Sequence, residues 1–224
     1  MALFVIIGFL IQLSPLILYF VFFKKINKIA GLRVVFFYVL ASCASIILMG
    51  AFKNYQIKII SVFEIIEFAL FSGFYFFFIQ SVKFKRFIVV VSSLNLILDL
   101  ILFFSLRLNF DFWATLTTAI IIVIYSIFFF SEQVNSPVVL AIYQSYAFWI
   151  VLGCIVYIMG TFLLFLYTSD LKDKDNSPLW IINIAFEIIK NICFSIAFLV
   201  AGNNNKHNIL AQNFNDTNML EKPF

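Results

Sequence analysis

Lys190 is the only basic side chain inside a membrane-length apolar segment, and Glu187 stands one turn before it in the run Trp180-Ile-Ile-Asn183-Ile-Ala-Phe-Glu187-Ile-Ile-Lys190-Asn191. An ammonium and a carboxylate so placed can pair, exchange protons or hold a polar ligand. A charge at membrane depth costs roughly 3 kcal/mol or more, so it is normally paired and turned into a helix bundle, and it marks a candidate functional site. Helical spacing sorts the remaining intramembrane polar groups. Asn183, Glu187 and Lys190 form one stripe, Glu64 and Glu67 face nearly the same way, and Ser92, Asn95 and Asp99 share a face. Thr115 and Thr118, with Tyr125 two turns on, lie along another segment. The candidate ligand or proton site is therefore Glu64, Glu67, Asp99, Glu187, Lys190, Asn183 and Asn95, gathered in the outer half of a bundle.

Four acids face a single base, so at most one carboxylate has a private cationic partner. The others need a proton or water in an outward-open cavity. Two readings stay open. The constellation is a shared interior site, or it is an assembly clamp, since polar groups also bridge membrane helices at about 0.6 kcal/mol and up to ~2 per contact. The same bridging role suits Asn95, Thr115, Thr118 and Asn191. The aromatic runs Phe74 to Phe78 and Phe128 to Phe130 read as lipid-facing or interfacial packing and not as a ligand cage.

Several chemistries lack their residues. The one histidine, His207, lies in a polar tail, and Cys43, Cys154 and Cys193 fall singly inside apolar segments, where cysteine behaves as a small hydrophobe. No His- or Cys-based metal site and no cofactor are expected, although acid-only coordination of a hard cation through Glu64, Glu67 and Asp99 stays conceivable. There is no nucleophile elbow with a usable histidine, no zinc-protease motif and no pair of intramembrane aspartates, so the sequence points away from an enzyme. A lysine in the last apolar segment invites comparison with microbial rhodopsins. There, however, an acid precedes the lysine by four positions and not three, and the third segment here has no arginine.

The composition explains where such residues must sit. The chain is 64% hydrophobic and 20% aromatic with 32 Phe, only 12% charged, and its mean hydropathy is +1.07. Those values lie outside the range of soluble domains and describe an integral membrane protein. Seven apolar runs are long enough to cross a bilayer: Leu3 to Phe23, Val34 to Phe52, Ile59 to Ile79, Phe87 to Ser105, Phe112 to Phe130, Leu140 to Tyr167 and Leu179 to Ala201. The first lacks a basic leader and a cleavage site, so it reads as a retained helix, with Pro15 as a potential kink.

Basic residues set the orientation. Lys24, Lys25, Lys28, Arg33, Lys83, Lys85, Arg86, Lys206 and Lys222 fall on one side, and Lys53, Lys58, Arg107, Lys172 and Lys174 on the other. By the positive-inside rule the richer side is cytoplasmic, which puts the N-terminus outside and the C-terminus inside. The acidic cluster Asp170, Asp173 and Asp175 is then external. Residues 1–201 are expected to form one all-α seven-helix transmembrane domain. Residues 202–224, rich in Asn, form a tail too polar to fold alone. The inner half of the bundle offers mainly Gln144, Ser145 and Tyr146.

The stretches Glu64-Ile-Ile-Glu67-Phe-Ala-Leu-Phe-Ser72, Ser131-Glu-Gln133-Val-Asn135-Ser-Pro137, Phe148-Trp149-Ile-Val-Leu-Gly153, Tyr157-Ile-Met-Gly160-Thr161 and Trp180-Ile-Ile-Asn183 through Ile188-Ile-Lys190-Asn191 resemble uncharacterised small seven-helix integral membrane proteins of AT-rich Bacteroidota. The resemblance spans most of the chain and implies seven helices in a bacterial inner membrane. No function comes with it. The sequence thus leads to a non-enzymatic sensor or receptor-like module acting through a separate cytoplasmic or membrane signalling partner. A small proton-coupled transporter and a structural or assembly subunit are the alternatives. The lipid bilayer is the other partner, nucleic acid is not one, and the oligomeric state is not fixed by the sequence.

Overall fold

The computed structural model describes residues 2–104, 110–135, 142–169 and 177–203. Every regular element among them is helical: α1 (Ala2–Val21), the single turn α2 (Phe23–Ile26), α3 (Ala30–Ala51), α4 (Gln56–Phe78), α5 (Val82–Phe104), α6 (Phe110–Asn135), α7 (Tyr146–Ser169) and α8 (Ser177–Asn203), with short 3-10 turns at Lys53–Tyr55 and Ile142–Gln144. Helices result because an apolar environment offers no water to backbone N–H and C=O groups, and a helix satisfies them within its own segment. Among the described residues, the six helices α3 to α8 are long and apolar enough to cross a membrane, and α1 contributes a shorter apolar stretch, Gly8–Val21. The chain is a multi-pass membrane protein. The tail from residue 204, the acidic cluster Asp170, Asp173 and Asp175, and Arg107, Lys172 and Lys174 lie outside the described residues.

The helices form a closed ring in which α1 packs on α3 and α8, α8 on α7, α7 on α6, α6 on α4, and α4 on α3. Helix α5 leans chiefly on α4 and α6. Two features set the spacing. Gly153 brings α7 onto α8 so closely that a Cβ there would lie 2.9 Å from the Cβ of Cys193 and 3.3 Å from the carbonyl of Lys190. Small residues let membrane helices approach in this way. In α1, Pro15 has no N–H for the Ile11 carbonyl, and the Ser14 hydroxyl donates to that carbonyl at 2.7 Å instead. Ser14 also bonds Ser195 of α8 at 2.8 Å, so the proline defect becomes a contact between α1 and α8.

One end of the bundle carries Lys24, Lys25, Lys28, Arg33, Lys83, Lys85 and Arg86, and it is tied by polar contacts. Lys25 donates to the Gly202 carbonyl at 2.8 Å, placing a cation at the carbonyl end of the α8 dipole. Glu132 of α6 accepts from the backbone N–H groups of Gln80 and Ser81 at 2.8 and 2.9 Å, just before α5 begins. The cap lets α5 start at Val82, ahead of the apolar run expected from Phe87, and α6 continues through Asn135, beyond Phe130. Helix α7 departs the other way. It begins at Tyr146 and not near Leu140, because Ile142–Gln144 turns in a tighter helix closed by Ser145 N–H to the Ile142 carbonyl.

The aromatic runs are not mainly lipid-facing. Phe74, Tyr75, Phe78 and Phe129 are buried, while Phe77 is exposed and Phe128 stacks on Phe84 at 4.3 Å. Consecutive residues on a helix point in different directions, so an unbroken aromatic run necessarily supplies both core and surface.

Candidate functional site

The side chain of Lys190, midway along α8, is 1% exposed. Its ammonium donates to the Tyr38 hydroxyl of α3 at 2.6 Å, and that hydroxyl donates its own proton to Glu67 Oε1 of α4 at 2.7 Å. A phenol has one proton to give and lone pairs to accept with, so Tyr38 serves both charged neighbours at once. Glu187 Oε1 stands 3.9 Å from the same ammonium, and the Tyr157 ring of α7 covers it with its centroid 3.6 Å away. Tyr157 also lies against the Glu67 carboxylate. A desolvated cation over an aromatic face gains about 2 kcal/mol, and charge-assisted hydrogen bonds are roughly twice as strong as neutral ones. Together these contacts offset the cost of a lysine at this depth.

The site is thus a hub where α3, α4, α7 and α8 meet on one ammonium. Lys190 and Glu67 are joined through a tyrosine and not by direct contact. The stripe of Asn183, Glu187 and Lys190 is present as spaced, but Asn183 turns to α7, where Thr161 donates to its Oδ1 at 3.2 Å. Glu64 is half-buried one turn from Glu67 on α4. Asn95 and Asp99 do not join the hub. Both are buried on α5, which packs chiefly on α4 and α6, and Asn95 Nδ2 donates to Asp99 Oδ2 at 2.9 Å. The expected single site is therefore two separate polar groups.

Tyrosines are the residues that reading by charge passes over. Tyr38 and Tyr157 complete the hub, and the only signal for them in the sequence is a hydroxyl within an apolar span, which is also what interfacial packing looks like. Toward the basic end the interior is more polar than Gln144, Ser145 and Tyr146 suggest. Tyr75 bonds Ser126 at 2.5 Å and Tyr125 bonds Ser92 at 2.8 Å, while one turn past Tyr38 in the other direction Gln12 donates to Ser42 at 2.6 Å. These pairs are joined side chain to side chain, and Phe71, Phe74, Phe129, Phe194 and Phe198 are buried as well. An open depression of about 320 Å³ lies away from the hub, lined by Gly50, Phe52, Lys53 and Tyr55 at the link from α3 to α4.

No family profile, curated protein or solved structure matches this chain. The functional reading rests on the residues themselves.

Proposed function

We propose that this protein is a non-enzymatic sensor or receptor-like module, built of seven transmembrane helices in a bacterial inner membrane, with its N-terminus outside and C-terminus inside. It passes its state to a separate partner. The observation that carries the reading is the placement of the Lys190 ammonium, enclosed and shared by Tyr38, Tyr157 and Glu187, with Glu67 one hydrogen bond further on. The lysine has one short bond to Tyr38 and a looser ion pair with Glu187, so two arrangements of one cation are within a small side-chain movement. Each arrangement binds a different set of helices, and a two-state polar element of this kind is what a membrane switch requires.

Toward the basic end, the buried apolar side chains beside those polar pairs support a module that changes shape over one that conducts. Leu32, Val35, Phe74, Phe78, Phe129 and Phe198 fill the interior there. A small proton-coupled transporter is the second reading, favoured by the ionisable run Glu67, Tyr38, Lys190 and Glu187.

Purified protein in liposomes distinguishes the two. A sensor gives no proton flux under an imposed potential, read by an enclosed pH dye. Its hub variants Tyr38→Phe and Lys190→Met change the hydrogen-exchange protection of α3, α4, α7 and α8 together. Sustained flux that disappears in both Lys190→Met and Glu67→Gln would establish the transporter instead.

A further inference from the structure

The buried stripe of α5 is unlike that of any helix around it. Its buried residues are Ile88, Ser92, Asn95 and Asp99, so three of the four are polar. The rest of the helix is largely lipid-facing, with Val89, Val90, Leu94, Ile97, Leu98 and Ile101 exposed. Ser92 is accounted for by Tyr125 of α6, which also donates to the Ile88 carbonyl. Asp99 is not accounted for. It is 2% exposed, Asn95 supplies a bond to Oδ2 only, and its other oxygen, Oδ1, is buried without a hydrogen-bond partner. The lysine that compensates Glu67 belongs to α8, on the far side of α4 and α6 from α5. Asp99 is therefore a buried carboxylate with a neutral amide as its hydrogen-bond donor, an arrangement that favours binding of a positive charge.

We propose that Asp99, Asn95 and Thr118 form a binding site for a small monovalent cation between α5 and α6. The Ser92–Tyr125 bond sets the register of these antiparallel helices, and seven residues further out on each come Asp99 and Thr118, the latter also buried. Asn95 Nδ2 orients the carboxylate through Oδ2. That leaves Asp99 Oδ1, the Asn95 carbonyl oxygen and the Thr118 hydroxyl as oxygen donors. An all-oxygen donor set selects a hard cation and excludes the soft metals that need sulfur or imidazole. A single carboxylate matches one positive charge, whereas calcium sites gather several acids. Asp99 lies within two turns of the end of α5 at Phe104, apart from the hub. The site is independent of the function proposed for Lys190.

The test uses the full chain in detergent. Thermal unfolding is followed at fixed pH and ionic strength while sodium chloride replaces choline chloride. A ligand that binds only the folded state raises the midpoint in proportion to the logarithm of its concentration above Kd. The expected result is a rise with sodium that Asp99→Asn abolishes, Asn95→Ala and Thr118→Val weaken, and Ser93→Ala, on the exposed side of α5, retains. Saturable binding of radioactive sodium to the wild-type protein, displaced by lithium and not by choline, checks the same claim without a variant. Absence of sodium-dependent stabilisation and of saturable binding overturns the proposal. So does an equal sodium response in Asp99→Asn. A stabilisation that follows pH, ignores sodium and is lost in Asp99→Asn also overturns it, because the occupant is then a proton.

Discussion

At the scale of single residues, Tyr38 matters as much as the charges it separates. Tyr38→Phe keeps the ring and its packing against Phe71 while removing the bonds to Lys190 and Glu67 together, and it is expected to cost about 1–3 kcal/mol of stability in detergent. Lys190→Met leaves Glu67 without its indirect countercharge and is expected to cost a similar ~1–3 kcal/mol at neutral pH. That loss narrows as pH falls, because protonating Glu67 removes the charge that Lys190 offsets. Adding Glu67→Gln recovers part of the loss, whereas adding Asp99→Asn gives an additive change, since the two lie in separate polar groups. Thermal unfolding of singles and doubles across pH measures all of this. If Lys190→Met is as stable as wild type at every pH, the hub does not hold the bundle. The charged members were legible in the sequence because a charge in an apolar run is too costly to be left facing lipid. Tyr38 and Tyr157 were not, because an aromatic ring is equally at home in lipid, in a core or beneath an ammonium. Asn95 and Asp99 could be paired by spacing, but their separation from Lys190 depends on which side of the bundle α5 occupies, and hydrophobic periodicity carries no such information.

At the scale of elements, the ends and the close approaches are set by particular residues. Glu132→Ala removes the acceptor for two backbone N–H groups ahead of α5 and is expected to cost about 0.5–2 kcal/mol, the range of a lost helix cap. Hydrogen exchange at Gln80 to Arg86 should rise in that variant, and unchanged protection there would rule out the cap. Gly153→Leu forces α7 away from Cys193 and the Lys190 carbonyl, and overpacking of this kind costs roughly 1–3 kcal/mol. Gly50→Ala is its control: a Cβ at Gly50 has no atom within 4 Å, so the variant should gain about 0.5–1 kcal/mol from lower chain entropy. Six of the seven apolar runs correspond to helices long enough to span, because hydrophobic length is a direct consequence of bilayer thickness. The ends moved where a polar contact extends or cuts the helix. Glu132 caps α5 from another element, and the tight turn at Ile142 delays α7. Neither is encoded in local hydrophobicity.

At the scale of the whole molecule, the orientation has a direct test. A reporter fused after Phe224 should behave as cytoplasmic and one inserted near Asp173 as external; the reverse pattern would invert the bundle. The ring itself has a consequence in time. Helix α8 touches α1, α7 and the turn α2, carries the ammonium on which α3 and α4 converge, and receives Lys25 at its last turn. It is also made after every other described helix. During synthesis the earlier helices therefore enter the bilayer with Tyr38 and Glu67 waiting for a cation that has not left the ribosome. The nascent protein passes through an unfinished stage whose exposed carboxylate insertion factors can shelter and quality-control proteases can recognise. A chain stopped before residue 177 should be short-lived in the cell even though six of its helices are already built.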